Sequence, residues 1–495
     1  MTRKDFLFGT AAMAGMGMPL TLPAATGDRR LRVGVLSDIH VNGPKKVALF
    51  EKVLRYFDDE KVDAVLVAGD LTVDSKLSEH QAVADTWFKV FPDDLRSDGT
   101  KIERLFVTGN HDVDGWAYGR FKSVEEARPT SFFFHREEFW RRLWKEDYKP
   151  VSVKTVKGYT FVLRNWLSIL GREAKGHPIA TGFNDEPNPL EDFLRTVRIP
   201  ADKPVFFVQH EPVTNTVNAT WLFRGRVWGK CSDDVSRPIY SRYPNAIVLT
   251  GHSHLSLTDE TSIWQGEFTA VNCSAETGFA FTPPGRENGF CGRDFSRNPP
   301  IGMPPIDFKG VHQGMVMDVY DDRIVFKRFE FKNGHSLGPD WIIPHGNGSV
   351  QPYRFDTRFK KGLRPAFPKG AKVTVQEGSG AVRSKNGMSA SEDLHPQMWV
   401  SFPPATTMEG ADIRAWDYAV RLEEDCGDQI RTVAERFFFS PNSLMGEEDD
   451  VEPVLCAFPK TDLPVKSRAA YRFTAVPRSC WGHEGVAISS EWRIY

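Results

Sequence analysis

The stretch Leu31-Arg32-Val33-Gly34-Val35-Leu36-Ser37-Asp38-Ile39-His40 decides the fold. Residues 31–36 read as a short inner strand that stops at a polar pair, and Asp38 and His40, two apart, can point to the same side beyond its end. Pro44 suits a first helical turn. After it Val47, Phe50, Val53, Leu54 and Phe57 recur at three- and four-residue steps and predict a helix. Ala64-Val65-Leu66-Val67 then predicts a second strand, ending at Ala68-Gly69-Asp70. Strand, helix, strand with polar residues at the carboxyl ends is the rhythm of an α/β sheet, whose ligands sit outside those ends.

The rhythm continues in both directions along the chain. A helix is expected near residues 78–91 and a strand over Arg104–Val107, followed at once by Thr108-Gly109-Asn110-His111. Strands over Val205–Val208 and Ile247–Leu249 deliver His210 and the turn Gly251-His252-Ser253-His254. Alternation over residues 314–320 and 323–329, split by Asp321-Asp322, predicts a closing hairpin. Between these elements lie long irregular stretches, 112–150, 211–240 and 275–312, which are expected to shape a pocket. Within the first, Phe132-Phe133-Phe134 reads as the core of an inserted segment rather than a platform for stacking bases.

Composition bounds the rest. At 495 residues the chain is too long for one core, and two domains are expected. With 40% hydrophobic and 26% charged residues it is a soluble globular sequence rather than a disordered or polytopic membrane chain. A formal net charge of -2 offers no broad attraction for a polyanion, so no nucleic-acid partner is expected.

Residues 1–27 read as a signal peptide. Thr2-Arg3-Lys4 with Phe6-Leu7 resembles a twin-arginine signal with lysine in the second position, and Leu22-Pro23-Ala24-Ala25 supplies small residues for cleavage. Gly9, Gly15, Gly17, Pro19 and Pro23 interrupt the apolar run, so export to the periplasm or the exterior, with no integral span in the mature protein, is preferred to an anchor or a cytoplasmic tail. The six cysteines, Cys231, Cys273, Cys291, Cys426, Cys456 and Cys480, form no zinc-knuckle spacing; disulfides and buried thiols both remain open.

Residues 28–335 are assigned to the α/β domain. The Gly- and Pro-rich stretch 336–370 reads as a linker, and 371–495, with short alternating runs such as Met398–Phe402, Tyr418–Leu422 and Tyr471–Val476, as a separate all-β sandwich resembling fibronectin-type modules. That domain shows no catalytic cluster, His483 is read as structural, and a glycan or protein contact is its expected role.

Hydrolysis of a phosphate ester calls for cations that clamp the phosphoryl oxygens, two of them being about 3.5–4 Å apart in known dinuclear sites. Asp70 is the candidate carboxylate to bridge them. Asp38 and His40 suit one ion, Asn110 and His210 the second, and His252 and His254, two apart, can each address a different one. Mixed nitrogen and oxygen donors without thiolate favour Mn, Fe, Zn or Co.

The blocks Leu36–His40, Ala68–Asp70, Thr108–Asp112, Gln209-His210-Glu211-Pro212 and Thr250–His254 resemble, in order, those of the calcineurin-like metallophosphoesterase superfamily, over roughly residues 31–335. The resemblance implies a four-layer αββα sandwich of two packed sheets between helices. It also implies two divalent or mixed-valence ions (Mn, Fe or Zn), one held by Asp38, His40, Asp70 and His254 and the other by Asp70, Asn110, His210 and His252. A metal-bridging hydroxide would be the nucleophile, and His111, not a ligand, would touch the phosphate and protonate the leaving oxygen. Relatives often carry an aspartate three residues after the bridging one to orient that histidine. Here the position is Val73, leaving Asp74 and Asp112 as alternatives.

The expectation is therefore a metal-dependent hydrolase of a small phosphomonoester or phosphodiester. The rivals are a binding protein that retains metal without turnover and a nuclease. Arg224, Arg226, Lys230, Arg286, Arg293 and Arg297 are candidates to meet a second charge on the substrate, and Glu211 to fix an imidazole tautomer.

Overall fold

The structure is a computed structural model that describes residues 27–113, 121, 124–166, 189–218, 220, 233, 235–275, 312–332, 334–346, 350–360, 364–383, 390–405, 407–408, 415–440 and 453–494. Residues 1–26 of the expected export signal and the six candidate cations at 224, 226, 230, 286, 293 and 297 lie outside the described residues.

Two sheets build the first domain. One holds β1 (Leu31–Leu36), β2 (Ala64–Ala68), β3 (Glu103–Val107), β10 (Gln313–Val319), β11 (Arg323–Glu330), β12 (His335–Ser336) and β13 (Trp341–Pro344), in the order β12-β11-β10-β1-β2-β3 with β13 also on β11. The other runs β4 (Val151–Val156), β5 (Tyr159–Arg164), β6 (Val205–Val208), β7 (Ala246–Thr250), β9 (Thr269–Asn272), β8 (Ile263–Gln265). β1, β2 and β3 are parallel neighbours, as are β5, β6, β7 and β9, so the carboxyl ends that bear the motifs share one edge of each sheet.

Apolar side chains on facing surfaces, among them Val33, Leu66, Leu105, Phe161, Phe206, Leu249, Met315 and Phe326, form one core between the sheets. On the far side of the first sheet, α1 (Pro44–Asp59) buries Phe50, Val53, Leu54 and Phe57, and α2 (Leu77–Val90) buries Val83, Ala84 and Trp87. At the edge of and within the stretch read as irregular, the short α3 (Asn110–Val113) and α4 (Val124–Ala127) are followed by α5 (Arg136–Trp144), which adds Trp140, Leu143 and Trp144 to that core. The second sheet is backed by α6 (Pro189–Thr196) and α7 (Arg237–Tyr240) through Leu190, Leu194, Ile239 and Tyr240. Helices outside, two sheets inside: this is the expected four-layer αββα arrangement. Phe134 is buried and stacks on His80, as a core reading requires, whereas Phe132 and Phe133 are half-buried around Ala127.

Within the stretch expected to be a linker, Trp341–Pro344 pairs antiparallel with β11. Trp341 and Ile343 alternate into the inter-sheet core, a two-residue period that the neighbouring Gly and Pro residues obscure in the sequence. α8 (Phe355–Lys360) follows, and β14 (Pro365–Ala366) pairs with β17 (Thr407–Met408).

Beyond it are β15 (Thr374–Arg383), β16 (Ala390–Phe402) and β20 (Val454–Pro459) in one sheet, and β18 (Asp417–Asp425), β19 (Ile430–Phe439), β21 (Ala470–Arg478), β22 (Ile488–Ser489) and β23 (Arg493–Ile494) in another. Val375, Met398, Val400 and Phe458 of the first share a core with Tyr418, Val420, Leu422, Phe438 and Phe473 of the second, which makes an all-β sandwich. His483 exchanges backbone-directed hydrogen bonds with Ser479 in a turn.

Candidate metal centre

Backbone hydrogen bonds carry the ladders past the strand ends and fix the loops. Asp38 N donates to Gly69 O and His40 N to Asp70 O, both at 2.9 Å, while Gly251 N donates to His210 O, also at 2.9 Å. The chain then bends sharply. Asp38, His40, Asp70, His252 and His254 all have left-handed backbones, with φ of 51°, 42°, 54°, 68° and 53°. Such a conformation costs a non-glycine residue on the order of 1–3 kcal/mol and persists where the surroundings over-determine it, typically at functional sites.

The glycines that precede these residues answer to crowding. Gly69 has φ 92°, and a Cβ there would lie 2.5 Å from His210 Nδ1. At Gly251 a Cβ would strike Ser37 Oγ and come within 2.5 Å of Asp38 Oδ2.

All seven residues singled out as ligands converge, and they do so in two groups that share Asp70. Atoms of Asp38, His40, Asp70 and His254 lie within 4.8 Å of one another, and so do those of Asp70, His210 and His252. In the first group His40 Nε2 lies 3.2 Å from His254 Nε2 and 3.5 Å from Asp70 Oδ2, and His254 Nε2 lies 2.8 Å from Asp38 Oδ1. In the second, His210 Nε2 is 3.2 Å from Asp70 Oδ2, 3.0 Å from Asn110 Oδ1 and 3.1 Å from His252 Nδ1.

The electrostatics are those of a cage for positive charge. Burial raises Asp38 and Asp70, yet the surrounding histidines outweigh it and hold both carboxyls below the usual range. Burial also lowers imidazoles: His40 falls to about 4, and His252, beside His210 as well, to about 3. His210 goes the other way. Its burial is overcome by Asp70 and Asp38, which lift it to about 10. Asp38 Oδ1 is buried, with His254 Nε2 at 2.8 Å and His40 Nε2 at 3.7 Å but neither in good hydrogen-bond geometry. An orphaned carboxylate oxygen among imidazole nitrogens fits a metal ion.

Supporting contacts set the donors' orientation. His210 Nδ1 donates to Ala68 O at 2.8 Å, so a backbone carbonyl rather than Glu211 fixes this tautomer. Asp38 Oδ2 accepts from His252 N at 3.0 Å and lies 2.5 Å from Ser37 Oγ. The Trp166 indole is buried with its ring 6.1 Å from that of His210 and 6.3 Å from that of His252.

His111 stands beside the cage, its ring 4.7 Å from that of His40. Its backbone N–H donates to Asp70 Oδ1 at 2.8 Å and its Nδ1 to the carbonyl of Val73 at 2.7 Å. The orienting acceptor is thus the main chain at the position where an aspartate is lacking. Asp74 instead receives Lys76 Nζ at 2.8 Å. Asp112 ties two motif loops together: its carboxylate accepts from Gly109 N (2.8 Å), Leu71 N (3.1 Å) and Thr72 N (2.8 Å).

Sequence reasoning missed Ser37, Trp166 and the Ala68 and Val73 carbonyls. Only Ser37 left a trace, by sitting inside a motif; carbonyl acceptors leave none.

Residues 31–256 match the model of the calcineurin-like phosphoesterase family. The first domain is thus a calcineurin-like metallophosphoesterase domain. No curated protein matches the chain in sequence. Among solved structures it is similar to a dimetal phosphatase from Danio rerio (13% identity, 64% of this chain and 100% of that one, TM-score 0.37). It is also similar to the purple acid phosphatase PPD1 from yellow lupin seeds (12% identity, 64% of this chain and 54% of that one, TM-score 0.38). A third is GAP50, the anchor in the inner membrane complex of Plasmodium (13% identity, 65% and 89%, TM-score 0.35). Among the described residues no helix is long and apolar enough to cross a membrane.

Proposed function

We propose that the protein is a metal-dependent hydrolase of small phosphate esters, monoester or diester, working through a dinuclear site. The observation that carries this reading is the pair of donor groups with Asp70 in common. Asp38, His40, Asp70 and His254 would hold one ion, and Asp70, Asn110, His210 and His252 the other. Two divalent cations there supply positive charge against the phosphoryl oxygens and lower the pKa of a water.

The chain's own groups do the rest. Ala68 O keeps the His210 proton on Nδ1 and so presents Nε2 as the donor lone pair. Val73 O does the same for His111, which leaves His111 Nε2 as the nitrogen that gains a proton and gives it to the departing oxygen. The left-handed loops and their cross-strand hydrogen bonds hold the donors in place before substrate arrives.

Purified protein loaded with Mn, assayed on a panel of chromogenic phosphomonoesters and phosphodiesters beside His111→Ala, tests the proposal. Turnover well above the variant is expected. Wild-type protein that binds metal yet matches the variant on every ester would mark a metal-retaining binder instead.

A further inference from the structure

The chain from His252 to Glu260 is anchored in four directions within nine residues. His252 and His254 face the cage. Leu257 enters the core between the sheets, while its N–H donates to Gln313 Oε1 at 2.8 Å and its carbonyl accepts from Arg328 Nη1 at 2.6 Å. Glu260 receives Arg328 Nη1 at 2.8 Å and Arg358 Nη2 at 2.7 Å. Leu255 does something different. Adjacent to His254 and only 1% exposed, it belongs to the hydrophobic core of the C-terminal sandwich, with Val373, Phe402, Tyr418 and Trp481.

We infer that the C-terminal sandwich is a working part of the metal centre, and that Leu255 is the positioning residue through which it holds His254. The inference rests on the reading of His254 as a ligand. Three observations converge on it. His254 has a left-handed backbone that its neighbours must enforce. At 13% side-chain exposure it is less enclosed than Asp38, His40, Asp70 or His210, so packing from outside the cage bears on its position. Finally, the two domains are stitched beside it: Arg358 of α8, bonded to Glu260, has its guanidinium 4.9 Å from the Trp481 ring centroid, and Phe355 meets the same ring at 5.4 Å. A side chain sunk in one domain thereby fixes the direction of a donor in the other.

The test compares full-length Leu255→Ala, Leu255→Met and Phe458→Leu with wild type, all stripped of metal and titrated with Mn2+ by calorimetry and equilibrium dialysis. Phe458 lies in the same sandwich core, but its ring partners Phe438 and Phe473 are strand residues of that domain. Leu255→Ala is expected to weaken one of two Mn2+ sites roughly 10- to 100-fold, the size of effect seen when support behind a ligand is lost. Leu255→Met should restore most of it, and Phe458→Leu should lower the melting temperature with both sites intact. If Leu255→Ala does not fold, Leu255→Val is read in the same way. Two wild-type sites in the Leu255 variants, or equal weakening in Phe458→Leu, overturns the inference. Wild-type protein that binds no Mn2+ under any loading condition overturns instead the assignment of the ligands.

Discussion

Two buried charged clusters flank the segment 252–260, and they are completed in opposite ways. Around Glu260, the carboxylate is matched by two guanidinium groups and the Trp341 indole N–H, which lies 3.1 Å from Glu260 Oε2. Every charge has a partner drawn from the chain. Around Asp70, two carboxylates face mostly imidazoles, with His210, His40 and His254 as their close neighbours. The first cluster is closed by cations of the chain itself; the second gathers carboxylate and imidazole donors of the kind that could hold a metal ion. A buried charge left without a partner is strongly unfavourable, so the difference is the one expected between a structural ion pair and a candidate metal site.

The sharpest way to break that comparison is at Asp70, the residue common to both donor groups. Asp70→Asn is expected to lose both ions and essentially all turnover while folding normally, because removing the carboxylate relieves unbalanced charge rather than exposing it. Elemental analysis alongside circular dichroism checks this, and a variant that retained two ions would contradict it. His111→Ala comes next: turnover should fall about 10²- to 10⁴-fold, the usual worth of a proton donor, with metal content unchanged. Loss of metal in that variant would show that His111 belongs to the cage.

On the other side, Glu260→Leu should leave two buried guanidinium groups unpaired and cost about 3–5 kcal/mol of unfolding free energy, read from urea denaturation. A near-neutral result would remove the contrast between the clusters. The smallest effect is in acid. Burial pushes the Glu260 carboxyl up, but Arg328 and Arg358 outweigh it and hold it below the usual value of 4.5. A depressed folded value contributes stability that is complete above the unfolded pKa and drains as pH falls through the folded one. Below about pH 4.5, therefore, the wild-type melting temperature should drop more steeply than that of Glu260→Gln; parallel curves would show that the carboxylate contributes nothing.

Much of the finished cage was legible in the sequence, while little of its support was. Asp38, Asp70, Asn110, His210 and His252 follow strands whose apolar runs announce themselves, and parallel pairing then brings their ends together. The Glu260 cluster could not be foreseen, since Glu260, Arg328 and Arg358 lie far apart in sequence and in unremarkable contexts. The hairpin of β4 and β5 went unread because Ser152, Lys154 and Thr155 break up the apolar run and residues 152–155 of β4 are fully buried on neither face. α5 was hidden by a run of aromatic and charged residues read as loop. The carbonyls of Ala68 and Val73 are beyond any reading of side-chain identity, since every residue offers one.

The hairpin of β10 and β11 lies beyond the family-matched segment, yet β10 pairs with β1 along Leu31–Val35. β1 is a central strand, fully buried at Val33, Val35 and Leu36. A fragment cut at residue 256 would leave one flank of that strand with bare amides and carbonyls, an open template for other copies to add to, so aggregation is the fate expected of it. The first strand of this chain is made safe only by nearly the last strands of its own domain, and the smallest piece worth isolating must reach past residue 344.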